Sequence, residues 1–127
     1  MNLSVCPPGI APPAANYVHA VVSENPSRML HTSGVVPVGK DGSVPDGIGD
    51  QAATIWSNLQ AILSDAEMSV DDIVSVTTYV VTGEDLRPVM DARDTALGDH
   101  LAASTLVTVP KLAQSTWRLE IAVVAAS

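Results

Sequence analysis

Two stretches of this chain, DDIVSVTTYVV and TWRLEIAVVAAS, carry apolar residues at both odd and even positions. Successive side chains of a strand point to opposite faces, so such strands must be covered on both sides. Only two segments read as amphipathic helices. Both helices can lie on one face of the sheet, and two of them cannot also cover the other. The second face therefore calls for another cover, and a second copy of the chain is the economical one.

The first helix is the clearest element. Ala52, Ile55, Trp56, Leu59, Ile62, Leu63 and Ala66 follow a three-four spacing for four turns. Asp46 or Asp50 is the expected cap at its start. The second spans Asp85 to Leu97, with Pro88 in its first turn and Gly98 suited to its end. Seven of the nine prolines precede residue 46, and residues 1–13 read as an extended arm. YVHAVVS and RMLHTSG read as strands joined in a hairpin by Glu24-Asn25-Pro26-Ser27, and VGKDGSVPDG as a tight reversal. STLVTV and WRLEIAVVA close the chain. The order β-β-(β)-α-β-α-β-β makes residues 1–127 one α+β domain, a mixed sheet with both helices on one face.

Composition narrows the functions open to it. The net charge is −8, with no cluster of Lys or Arg, and only four aromatic residues are present. Such a chain repels phosphate backbones and lacks a base-stacking platform, so no nucleic-acid or membrane partner is expected. A single cysteine, Cys6, leaves no disulfide framework, and His19, His31 and His100 lack metal-ligand spacing. No cofactor or metal is expected. The first 18 residues hold no Lys or Arg and the prolines interrupt any apolar core, so no signal peptide is read and a cytoplasmic location is expected.

Glu120 is the residue that fits a strand least well. It shares its parity with Arg118 and Ala122, away from Leu119, Ile121 and Val123. An ion pair with Arg118 is the plain explanation; a cleft shared with Tyr17, Ser33, Ser104 and Thr105 is the other. His19 and His31 alternate with apolar neighbours, and a one-residue slip in register decides whether they face a cleft or the core. His100 reads as an exposed loop residue, Trp56 as core.

The ordered set NYVHAV, LHTSGVVPV, QAATIWSNLQAIL, DDIVSVTTYVV and STLVTVPKLA…WRLEIAVVA resembles the RidA (YjgF/YER057c/UK114) family over nearly the whole chain. The resemblance implies a chorismate-mutase-like α+β fold that assembles as a homotrimer around a central β-barrel, with clefts between subunits. It also implies cofactor-free hydrolysis of reactive imines or enamines to a carbonyl compound and ammonia, the work of a deaminase-like hydrolase on a small metabolite. By the same resemblance Glu120 matches the family's water-positioning glutamate, Tyr17 its tyrosine, and Ser33-Gly34 the serine and glycine of the pocket. Counting back from Leu112 without a gap, Ser104 stands where deaminases of the family carry an arginine that grips the substrate carboxylate. Serine cannot form that bidentate contact. Ser104 and Thr105 would then bind a different imine, enamine or related intermediate, or Arg118 or Arg28 would supply the charge. The other class of function is a metabolite-binding or regulatory trimer without turnover.

Overall fold

The computed structural model describes residues 1–127. Six strands and two helices follow one another as β1 (Asn2–Val5), β2 (Ala20–Ser23), β3 (Met29–His31), α1 (Ile48–Asp65), β4 (Ile73–Val81), α2 (Arg87–Leu97), β5 (Ala103–Val109) and β6 (Leu119–Ala126), with a single 3-10 turn at Val70–Asp72 before β4. A four-stranded mixed sheet has the order β3-β6-β4-β5, and β1 and β2 form a separate antiparallel ribbon. β4 and β5 are parallel, joined by α2 as the crossover that such a pair needs.

The arm is thus not uniformly extended without partners. Asn2 to Val5 pair with Ser23 to Ala20, and the prolines begin only at Pro7. Nor do β2 and β3 make a hairpin: β2 pairs with β1, and β3 with β6. Asn25, at φ 47, still turns the chain between them.

Helix α1 starts four residues before Ala52. Its cap is Gly47 with extended backbone and no side-chain bond, so neither Asp46 nor Asp50 caps it; Asp50 lies in the first turn, where its charge complements the helix dipole. At the far end Glu67 takes φ 58 while its N–H bonds Ser64 O and that of Met68 bonds Leu63 O. This is the double bond of a Schellman cap, without the usual glycine. Arg28 adds a third anchor, donating from Nη1 to Ala66 O at 2.7 Å. Helix α2 has Pro88 in its first turn and Gly98 at φ 60 beyond its end.

Ile48, Ala52, Ile55, Trp56, Leu59 and Leu63 of α1 and Val89 and Leu97 of α2 join Val76, Val80, Leu119, Ile121, Val123 and Ala125 in one buried cluster. Both helices pack on each other and on one face of the sheet. Gln51, buried in this layer, is fully used: Nε2 donates to Pro45 O and Thr116 O, and Oε1 accepts from Arg118 N.

Candidate functional site

The register of the sheet says which side chains share its other face. Tyr79 lies between Glu120 and Val107, and Thr77 between Ala122 and Thr105. His31 lies opposite Val124, on that same face rather than in the core. Ser104 registers with buried Val76, so its side chain turns to the helix-covered side.

Glu120 owes its surroundings to an irregularity beside β6. Thr32 N bonds Val123 O, and Val35 exchanges both backbone bonds with Ile121. Three steps along one strand (32 to 35) thus oppose two along the other (123 to 121), which is a bulge of one residue. Bulges re-aim side chains and are common beside active sites. The extra residue falls at Ser33-Gly34, and the Glu120 carboxylate lies where a Cβ on Gly34 would be. Any larger residue at 34 must displace that carboxylate. Glu120 is half-buried and makes no side-chain hydrogen bond within the chain, while both its strand neighbours are fully buried.

Tyr17 lies elsewhere. Val18 forms an isolated parallel bridge to Ala103, its N–H bonded to Ala102 O at 3.1 Å, so Tyr17 borders the outer edge of β5. Its hydroxyl accepts from Ala14 N at 3.3 Å. Within one chain the expected residues therefore form two groups. Glu120, Ser33 and Gly34 gather at the β6 side, and Tyr17, Ser104 and Thr105 at the β5 edge, with β4 between.

Arg118 joins neither group. It does not pair with Glu120; its Nη1 binds both carboxylate oxygens of Glu84 at 3.0 and 3.2 Å. The two line a cavity of about 540 Å³ with Lys111, Trp117 and Gln51 at the end of the sheet. The loop that carries Glu84 follows β4, and no local pattern in the sequence announces this pair. His100, expected to be exposed, is half-buried, its Nε2 2.7 Å from Ile73 O. Cys6 is exposed. His19 keeps Nδ1 buried without a partner.

These features match a known family. Residues 9–127 match the model of the family described as endoribonuclease L-PSP. The chain belongs to this family, the RidA/YjgF family. TdcF of Escherichia coli K12, a reactive intermediate deaminase by name, is 31% identical over 75 residues; the match covers 58% of this chain and 58% of TdcF. The RutC family protein UK114 of Drosophila melanogaster is 30% identical over 104 residues, covering 80% of this chain and 73% of that protein. Among solved structures, E. coli TdcF with bound serine superposes with a TM-score of 0.73 at 28% identity, covering 96% of this chain and 91% of that one. The Rid-family protein YyfB from Yersinia pestis superposes with a TM-score of 0.87 at 23% identity, covering 99% and 98%, and shares the mixed α+β fold.

Proposed function

We propose that the chain hydrolyses a reactive imine or enamine in a cleft between copies of itself. In that cleft Glu120 and Gly34 of one copy face Tyr17 and the β5 edge of the next, and three copies close the open faces of their sheets into a central barrel. Glu120 holds a water against the C=N carbon and takes its proton as the C–O bond forms. Glu120 returns that proton to the nitrogen, giving the carbinolamine. It then moves the hydroxyl proton to the nitrogen as well, and as the C=O bond forms the C–N bond breaks and ammonia leaves a carbonyl compound. No cofactor enters the reaction. Ser33 and Thr105 contribute hydroxyls to the pocket wall.

The observation that carries this reading is the carboxylate of Glu120, set on a strand of buried residues, given room by Gly34 and left without a partner in its own chain. A hydrophobic side chain would usually serve stability as well there. The name of TdcF, and the serine bound to it, support a small nitrogen-bearing substrate. The family name speaks of ribonuclease activity, but a net charge of −8 weighs against an RNA substrate here.

Ammonia release from freshly generated acidic and neutral imines tests the reading. Glu120→Gln should reduce turnover by about 100-fold or more, with assembled mass and melting temperature retained. No release by the wild type, with activity gained in Ser104→Arg, would point to a pocket built for another intermediate. Silence from all three proteins would sink the hydrolase and leave a metabolite-binding assembly.

A further inference from the structure

Between helices α1 and α2 runs a groove of about 510 Å³. Gly49, Ala53 and Ser57, each four residues from the next, form its wall on α1, and Ala92, Thr95 and Ala96 its wall on α2. Ala53, Ser57 and Thr95 are exposed, so the groove opens to solvent on the side away from the sheet. The helices are in contact at Gly49, where an added Cβ would meet Pro88 Cβ at 3.4 Å. Beyond that point the walls carry short side chains, which leave the space unfilled.

Trp56 is the one aromatic side chain that lines this groove, and it is 3% exposed. It also belongs to the buried cluster beneath, so the indole forms the floor. An indole N–H can donate but cannot accept, and buried donors almost always find an acceptor. Trp56 Nε1 has none, and it is shut off from water. Gln51, one turn earlier on α1, has both ends of its amide bonded. Two further features narrow what would complete the indole. Asp91 lines the groove and the chain carries a net charge of −8, which disfavours an anion. The volume falls within the usual range of small-molecule sites, about 300–1,000 Å³, and short walls above one donor suit an apolar body with one acceptor.

We propose that the groove between α1 and α2 is a binding site for a small neutral carbonyl compound. Its apolar body lies against Ala53, Ala92 and Ala96, and its oxygen accepts from Trp56 Nε1. Ser57 and Thr95, short and exposed, turn aside to admit it. The site is separate from the cleft proposed above, since the helices cover one face of the sheet and Glu120 lies on the other. Imine turnover therefore neither supports it nor counts against it.

Magnetic resonance of the isotope-labelled protein tests this through its indole N–H signals. Trp56 and Trp117 are the only tryptophans, and Trp117→Phe tells their signals apart. Cyclohexanone is the probe, and methylenecyclohexane, the same shape without the oxygen, is its control. Cyclohexanone should move the Trp56 signal downfield, saturating with a Kd of about 1 mM, the scale for so small a ligand. Methylenecyclohexane should produce no downfield shift. Ala53→Leu, which fills the groove from an exposed position, should weaken cyclohexanone binding about 10-fold or more. Should Ala53→Leu fail to fold, Ser57→Leu on the same wall is read in the same way. Three results would overturn the proposal. Absence of a saturable shift would leave the donor without a ligand, and an equal shift with methylenecyclohexane would mean a groove indifferent to it. Undiminished binding in the filled variant would put the probe elsewhere on the chain.

Discussion

On the helix-covered face of the sheet Val76, Val80, Leu119, Ile121 and Val123 are buried, whereas on the opposite face Tyr79 and Val107 stay exposed beside Glu120. Both faces belong to the same strands, and both are largely apolar. The first is completed by α1 and α2 from the same chain. The second has no such cover, and every polar residue assigned to the chemistry except Ser104 and Tyr17 lies on it or at its margin. The contrast separates two jobs. One face makes the chain fold, and the other is the one that the proposed function assigns to contact and chemistry.

The largest expected effect lies on the covered face. Leu59 has no exposed surface and sits in the middle of the buried cluster. Leu59→Ala should cost about 2–5 kcal/mol, the transfer term plus the cavity left behind. Denaturant unfolding measures it, and a loss under 1 kcal/mol would mean that the helix layer is loosely packed. Turnover per folded molecule should not change, because Leu59 contacts the covered face alone.

On the open face the expected effect is smaller for the chain and larger for its assembly. Val107 is 40% exposed, and it shares a row with Tyr79 and Glu120. A charge there should cost an isolated chain about 1 kcal/mol or less. In a closed barrel the same charge is repeated in each copy and loses water. Val107→Asp should therefore lower the sedimenting mass at concentrations where the wild type is assembled, and with it the activity. Full mass in the variant would place the contact between copies elsewhere and dissolve the contrast between the faces.

How far the sequence foretold this layout depends on how local each signal is. The spacing from Ala52 to Leu63 and the β-branched run from Ile73 to Val81 report burial directly, and α1, β4 and β6 were legible. Pairing is not local. Turn-forming residues at 24–27 correctly mark a turn, yet they say nothing of whether the flanking strands pair with each other, and here each pairs elsewhere. The strand at Asn2–Val5 went unread because the prolines after it dominate the composition of the arm. In the candidate site Glu120 stood out, since a carboxylate on an apolar strand is visible in one dimension. Its dependence on Gly34, some 86 residues earlier (120 − 34), comes from a bulge that no spacing reveals. The Arg118–Glu84 pair is likewise a property of packing.

The smallest expected effect concerns neither face and so serves as a zero for both. In the reversal after β3, Asp41 Oδ1 accepts from Ser43 Oγ at 2.6 Å and Ser43 N at 3.0 Å, with Gly42 at φ 85 supplying the bend. The Ser43 hydroxyl first, then its amide, hold the Asp41 carboxyl below its ordinary value. A group depressed in the folded state stabilises above its unfolded pKa, and that contribution fades as pH falls through the folded one. Asp41→Ala should thus melt slightly below the wild type near pH 7, and the gap should close as pH drops below about 4. The carboxyl is fully exposed, so the gap stays small. It should also be the same in Val107→Asp as in the wild-type background. A gap that changed with assembly would mean that this turn, too, takes part in the contact between copies.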